Sequence, residues 1–183
     1  LFGCGQKSLE KEMIRFDRAL IPALHFTSQG SAEAARSAVN TLSQTWKAFS
    51  GHYYTFRPED SEWMNTFALV DQRIDAADKL LKAEGDLLQA NAELEAVNDL
   101  LFKLRKRKNI KYYPDNLIEF RPPLEAVFMI VYSHKIPQQL TDEDVKNLKW
   151  LIIGQQQIWD KIAKAEFNSG LFGFDREKMT QMR

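Results

Sequence analysis

The sequence predicts an all-α fold built from three consecutive helical hairpins. Three observations support this prediction. Apolar residues recur at steps of three and four along most of the 183 residues, as they do on one face of an α-helix. Residues that favour helix ends separate these periodic segments. Finally, three of the helix-start residues, Ser31, Asp86 and Thr141, lie 55 residues apart, which indicates a repeat.

Six helices follow from the periodicity, at about residues 9–27, 31–51, 61–85, 86–104, 116–132 and 141–167. Pro22 lies inside the first helix and predicts a kink or a local break, because proline removes a backbone donor. Gly85 is expected to end the third helix. Thr141 and Asp144 have the spacing of a capping box and predict the start of the sixth helix.

The repeat extends from the caps into the helices. The residues 11 positions after the three caps are Leu42, Val97 and Ile152. Those 18 positions after the caps are Phe49, Leu104 and Trp159. We therefore predict antiparallel hairpins over residues 9–56, 59–111 and 115–168. A hairpin cannot bury its apolar stripe alone, so residues 9–168 are expected to form a single domain, as a helical bundle or a short array. Residues 1–8 are predicted to be an N-terminal tether and residues 169–183 a C-terminal tail.

Composition and charge exclude some classes of protein. The 44% of hydrophobic residues is enough for a packed core. Lys plus Arg and Asp plus Glu each total 25, so the net charge is zero. This balance argues against binding to nucleic acid over a large surface, which needs a strongly basic domain or stripe.

The cysteine at position 4 predicts a membrane anchor. It is the only cysteine in the sequence, which excludes an internal disulfide. Leu1, Gly3 and Cys4 resemble the lipobox that ends a bacterial lipoprotein signal peptide, in which a lipid is attached to the cysteine sulfur. We expect lipidation of Cys4 and a location in the bacterial periplasm, anchored to the membrane. A chance Gly-Cys-Gly sequence at the terminus is the alternative.

Two segments carry a further resemblance. Residues 16–24 (FDRALIPAL) and 107–115 (RKNIKYYPD) resemble recurring phrases in uncharacterised bacterial envelope proteins of the lipoprotein type that are made of helical hairpins. The resemblance implies a helical architecture and an envelope location. It implies no active residues.

Two of the three histidines are candidate ligands. His25 precedes the cap Ser31 by six residues, and His134 precedes the cap Thr141 by seven. If the hairpins are equivalent, both imidazoles lie at corresponding helix ends, where they could bind a metal ion or a haem iron. Ordinary packed or surface histidines are the alternative. No HxxxH, HExxH or CxxCH spacing occurs, so we expect no cofactor, with haem or metal as the alternative.

Two surfaces are candidate binding sites. A basic cluster at the end of the fourth helix predicts a patch for anionic headgroups or an acidic partner, although cations are also favoured at helix C-termini. Apolar residues of the sixth helix and the tail predict a second contact surface, unless the tail folds back. The basic cluster comprises Lys103, Arg105, Lys106, Arg107, Lys108 and Lys111, and the apolar surface comprises Trp150, Leu171, Phe172 and Phe174.

These observations favour a non-enzymatic envelope protein whose helices form a scaffold for protein or ligand contacts. No nucleophile, acid and base can be assembled from the sequence, and paired carboxylates such as Asp71 and Asp75 are interleaved with Arg73, as on a solvated helix face. The alternative function is a helical bundle that binds haem, a metal or a small ligand through His25 and His134. The expected partners are an envelope protein and the membrane. The sequence predicts no oligomeric state.

Overall fold

The computed structural model describes residues 2–83, 85–134, 139–165 and 169–173, with side chains from residue 8 onward except that of residue 169. Within these ranges the chain forms α-helices and no β-strand, which confirms the all-α prediction. The helices are α1 (Phe2–Ser28), α2 (Ala32–Tyr53), α3 (Ser61–Ala83), α4 (Leu87–Arg107), α5 (Pro114–Tyr132), α6 (Asp142–Lys164) and the short α7 (Ser169–Phe172).

Three helices, α2, α4 and α6, start directly after the caps that the sequence indicates. The Thr141 hydroxyl accepts a hydrogen bond from the Asp144 amide at 3.1 Å, and the Asp144 carboxylate accepts one from the Thr141 amide at 2.9 Å. This reciprocal pair is the predicted capping box. Asp86 similarly accepts from the Gln89 amide at 3.0 Å. Ser31 occupies the N-cap of α2 but makes no side-chain capping bond.

Two local features differ from the predictions. The segment expected as a tether, residues 1–8, is helical from Phe2, because α1 begins there instead of near residue 9. Of the two outcomes predicted at Pro22, a kink or a local break, the break is absent, because α1 continues through Pro22 to Ser28. The ring of a proline removes only one helical hydrogen bond, and packing of the flanking turns compensates for that loss. The predicted end of the sixth helix at residue 167 lies outside the described residues.

The chain forms two compact units, Leu1–Lys111 and Tyr112–Arg183. We call them the N-terminal and C-terminal units. In the N-terminal unit, α1 packs on α2, α2 on α3, α3 on α4 and α4 on α1. These contacts close a four-helix bundle from the first two predicted hairpins. The Asn91 side-chain amide joins α4 to α1 by donating to the Leu24 carbonyl oxygen at 3.1 Å and to the Thr27 hydroxyl at 2.8 Å.

An aromatic cluster fills one end of this bundle. Its members come from α1, α2 and α3, and adjacent ring centroids lie between 4.9 and 6.2 Å apart. Such spacings are typical of favourable edge-to-face and offset contacts. The members are Phe16, Trp46, Phe49, Trp63 and Phe67, all of which are buried. The N-terminal unit therefore has a core of its own.

The C-terminal unit is a helical hairpin with a short additional helix. Its two long helices, α5 and α6, pack against each other, and the rings of Phe120 and Trp159 lie 6.1 Å apart. Phe172 of α7 contacts Tyr112 and Tyr113, with ring centroids 6.2 and 5.9 Å apart. The short helix α7 therefore folds back onto the residues that precede α5.

Burial differs sharply between the hairpins at equivalent repeat positions. Leu42 and Val97 are 0% exposed, whereas Ile152 is 56% exposed. At the second offset, Phe49 and Leu104 are buried and Trp159 is 44% exposed. The third hairpin has the same apolar stripe as the first two, but its residues at these positions are exposed.

Candidate functional site

The basic cluster at the end of α4 is largely engaged in contacts within its own unit. The Lys108 ammonium lies 2.8 Å from both a carboxylate oxygen of Asp60 and one of Glu62. Arg107 also pairs with Glu62. Asp60 caps α3 by accepting from the Trp63 amide at 3.1 Å. These ion pairs fix the end of α4 against the start of α3.

The ion pairs shift the protonation of all three groups at their centre. The hydrogen bond from Lys108 lowers the pKa of the Asp60 carboxyl, and the hydrogen bonds from Lys108 and Arg107 lower the pKa of Glu62. Hydrogen bonds to the two carboxylates raise the pKa of Lys108. The three groups therefore stay charged over a wide pH range.

The other members of the cluster have different surroundings. Arg105 is buried, and the Lys106 ammonium lies 5.8 Å from the centre of the Phe102 ring, within range of a cation–π contact. Lys103 and Lys111 are exposed. Lys103 and Lys111 are therefore the accessible members of the predicted anionic-partner patch, while Lys108 and Arg107 form ion pairs within the unit. Asp60 and Glu62 were not identified from the sequence, because they lie more than 40 residues before their basic partners.

The two candidate histidines belong to different units and have different surroundings. His25 is exposed near the end of α1, with its ring 5.2 Å from that of Phe26. His134 follows α5, and its Nδ1 lies 2.9 Å from the Ile130 carbonyl oxygen. The Nε2 of His134 lies 3.5 Å from the Asp144 carboxylate. Ligation of a metal or haem through this Nε2 would displace Asp144 from it.

Among the described side chains, no three from His, Cys, Asp and Glu are close enough together to hold a metal ion. No described helix is long and apolar enough to span a membrane. Cys4 lies in α1, but its side chain is outside those described, so its lipidation stays a prediction.

A cleft of about 280 Å³ lies between α1 and α2. Its lining is mainly apolar and includes Pro22 and Phe26 from α1 and Ala38 from α2. Arg18 and Thr41 provide polar groups at its edge. The ring of Phe26 also contacts that of His25, at 5.2 Å between centroids, but His25 does not line the cleft.

Most of the large apolar side chains that are exposed belong to the C-terminal unit. Near the end of α5, Met129 is 73% exposed and Tyr132 is 79% exposed, with the Tyr132 ring stacked on that of Phe128 at 5.7 Å. On α6, Trp150 is 67% exposed, as the predicted contact surface requires. Leu171 and Phe172 are half-buried because α7 folds back, and Phe174 lies outside the described residues.

Comparison with known proteins finds a similarity over part of the chain. The chain matches no protein-family model and no solved structure. It is 29% identical over 146 residues to the probable mannosyltransferase KTR5 of Saccharomyces cerevisiae. The aligned region covers 68% of this chain and 28% of the yeast protein, so the chain spans less than a third of that relative.

Proposed function

We propose that this protein is a non-enzymatic helical scaffold of the bacterial envelope, anchored through a lipid on Cys4, whose C-terminal unit binds other proteins. The observation that carries the proposal is the exposure of Met129, Tyr132 and Trp150 on the two helices of that unit. Exposed apolar patches of this kind mark interaction sites. Aromatic residues and Met are also enriched at the centres of protein interfaces.

The two units differ in the burial of their apolar residues. The N-terminal bundle buries its apolar residues in a core of its own, and its first helix contains the predicted lipid anchor Cys4. The C-terminal hairpin exposes several of its large apolar residues instead. A lipid at Cys4 would keep the chain at the membrane, where local concentration favours binding to other envelope proteins.

The anchor is tested by fractionation of cells that express the Cys4→Ser variant. We expect the wild-type protein in the membrane fraction and the variant in the soluble fraction, because a single thiol carries the lipid. Membrane association of both proteins to the same extent would contradict the anchor.

The contact surface is tested by photo-cross-linking in cells. A photoreactive residue placed at Met129 or Tyr132 is expected to give protein adducts, and the same residue at Lys47, an exposed position on α2, serves as the control. Equal yields at all three positions would contradict a role for the C-terminal unit in protein contacts.

The similarity to the yeast protein favours a second candidate, a part in mannosyl transfer. It is tested by incubating the purified chain with an activated mannose donor and with short mannoside acceptors. Transfer of mannose above a heat-denatured control would support an enzyme and would contradict the scaffold proposal.

The cleft between α1 and α2 favours the alternative of a bound cofactor or small ligand, because His25 lies next to its Phe26. An absorption spectrum and an elemental analysis of the protein from its native membrane fraction test this alternative. A haem band or a stoichiometric metal that is lost with His25→Ala or His134→Ala would support it.

A further inference from the structure

One end of the N-terminal bundle brings together the start of α1 and the end of α4. The Tyr53 hydroxyl, at the end of α2, lies 3.0 Å from the Ser8 hydroxyl near the start of α1. The ion pair of Lys108 with Asp60 holds the end of α4 beside the start of α3. We call this end the basal end, and it comprises residues 2–8, 53–62 and 103–111.

The basal end exposes two aromatic side chains in the connection between α2 and α3. Tyr54 is 42% exposed and Phe56 is 41% exposed. The Phe56 ring also lies 6.1 Å from that of the buried Trp63, so its position is fixed by the core of the bundle. Aromatic side chains that are partly buried and partly exposed are typical of the interface between water and lipid headgroups.

Positive charge exceeds negative charge in the two loops and helix ends of this surface. The cations of residues 53–62 and 103–111 that are not buried are Arg57, Lys103, Lys106, Arg107, Lys108 and Lys111, and the carboxylates are Glu59, Asp60 and Glu62. Asp60 and Glu62 are neutralised by the ion pairs with the end of α4. Lys103 and Lys111 are exposed. The surplus of positive charge favours an anionic surface as the partner.

The predicted lipid anchor belongs to the same end of the bundle. Cys4 precedes Ser8 by four residues of α1, which is about 6 Å along the helix axis. A single acyl chain holds a protein only weakly to a membrane, and basic residues near the surface supply a second attraction. Aromatic residues, surplus cations and the anchor position at one end together fit a membrane with anionic headgroups.

We propose that the basal end of the N-terminal bundle lies on an anionic lipid membrane, with Tyr54 and Phe56 in the headgroup region and Lys103 and Lys111 beside the headgroups. The inference rests on the proposed function for the presence of a membrane, and it names the surface that faces that membrane. Without the lipid on Cys4, this contact is expected to be weak and reversible at physiological salt. That expectation agrees with release of the Cys4→Ser variant into the soluble fraction.

Binding is tested by co-sedimentation of the full chain that carries Cys4→Ser, so that no lipid contributes. The vesicles contain phosphatidylcholine alone or phosphatidylcholine mixed with phosphatidylglycerol. We expect binding to the anionic vesicles at about 0.01 M salt and its loss near 0.15 M, because the screening length falls from about 30 Å to about 8 Å. Equal binding to both kinds of vesicle, or binding to neither, would overturn the inference.

Two pairs of lysine substitutions test which end of the bundle binds. Lys103→Gln with Lys111→Gln is expected to weaken vesicle binding by roughly 25-fold, because each cation near an anionic surface contributes roughly fivefold. Lys79→Gln with Lys82→Gln removes the same charge from exposed positions near the end of α3, at the opposite end of the bundle. This control is expected to bind almost as the parent chain does, and equal losses in both pairs would contradict the proposal. Circular dichroism checks that all variants remain helical.

A fluorescent label tests the position of the aromatic residues. Because Cys4 is the only cysteine, the Cys4→Ser chain accepts a single polarity-sensitive fluorophore at an introduced cysteine. Phe56→Cys places the label at the basal end, and Leu88→Cys places it in the first turn of α4 at the opposite end, where Leu88 is 82% exposed. On anionic vesicles we expect a blue shift of the emission from position 56 and none from position 88.

A label at position 56 that does not respond, or an equal shift at both positions, would overturn this placement of the basal end. These experiments use a chain without the lipid and vesicles without other proteins. Their outcome is therefore independent of fractionation of the wild-type protein and of cross-linking at Met129 and Tyr132, which test the scaffold proposal.

Discussion

The indole N–H of Trp63, in the first turn of α3, donates a 2.8 Å hydrogen bond to the carbonyl oxygen of Tyr53, the last residue of α2. The bond is buried and crosses the connection between the first two hairpins. It satisfies one of the carbonyl groups that the end of a helix leaves without an intrahelical partner. Trp46 is also buried, but its indole N–H has no hydrogen-bond partner among the described residues.

We expect Trp63→Phe to lower the free energy of unfolding by about 1 kcal/mol more than Trp46→Phe does, because only the first change removes a buried hydrogen bond. The Tyr53 carbonyl oxygen keeps its second donor, the Phe56 amide at 3.0 Å. The second change removes an N–H that already lacks a partner. Urea unfolding of both variants, followed by circular dichroism, measures the difference. Equal losses, or a larger loss with Trp46→Phe, would contradict this assignment.

Stability is expected to depend on pH through Lys108 and its two carboxylate partners. Because Lys108 lowers the pKa values of Asp60 and Glu62, their contribution is present above the ordinary carboxyl range near pH 4 and is lost as the pH falls further. The raised pKa of Lys108 gives a contribution that is present below about pH 10.4 and lost as the pH rises through the folded-state pKa.

Lys108→Met is therefore expected to lower the urea concentration at the midpoint of unfolding at pH 7. The same variant is expected to show a smaller decrease of this midpoint between about pH 5 and pH 2 than the wild type does. Lys103→Met, at an exposed position in the last turns of α4, is the control and is expected to resemble the wild type. A Lys108→Met variant with the full acid dependence of the wild type would argue against the ion pairs as its source.

The contact of α4 with α1 depends in part on Asn91. Asn91→Ala is expected to destabilise the bundle by about 1 kcal/mol or more, because the Leu24 carbonyl oxygen and the Thr27 hydroxyl each lose a donor. Asn91→Asp is expected to cost more, because a carboxylate cannot donate to the carbonyl oxygen. Asn40→Ala, on the exposed side of α2, is the control, and a similar loss in all three variants would contradict the prediction. Urea unfolding provides the measurement.

The capping box at the start of α6 gives a local prediction. Hydrogen bonds from the hydroxyl and amide of Thr141, and to a lesser extent the charge of His134, lower the pKa of Asp144. Thr141→Ala removes the hydroxyl and is expected to destabilise the first turn of α6 by about 1 kcal/mol. Amide hydrogen exchange should become faster over residues 142–146 and should not change near the end of α6. Uniform exchange changes along α6 would argue against a local cap.

Much of the fold was predictable because it depends on signals that are local in the sequence. The caps Asp86 and Thr141 and the periodic apolar residues determine helix positions over a few turns, and short connections pair neighbouring helices. The start of α1 was missed because residues 2–8 show little apolar periodicity. The repeat placed Leu42, Val97 and Ile152 at equivalent positions, but the pattern within a helix does not show which other segment buries its apolar face, and Ile152 is exposed where Leu42 and Val97 are buried.

The candidate site was less predictable, because its contacts join residues that are distant along the chain. The sequence shows that Lys108 belongs to a basic cluster, whereas its partners Asp60 and Glu62 become evident only when α3 and α4 are adjacent. Trp150 was expected to be a contact residue, and its side chain is exposed in the structure. The sequence left open whether Phe172 belongs to a contact surface or folds back. Its contacts with Tyr112 and Tyr113 show that it folds back.

The closed ring of the N-terminal bundle has a consequence for the order of folding. Three of its four helix pairs join neighbours along the chain, whereas α1 and α4 meet through contacts such as that between Leu24 and Asn91, which are 67 residues apart. Closing the longer loop costs more chain entropy, so we expect the hairpins to form before α1 docks on α4. In stopped-flow experiments, Asn91→Ala should therefore accelerate unfolding and leave the refolding rate almost unchanged.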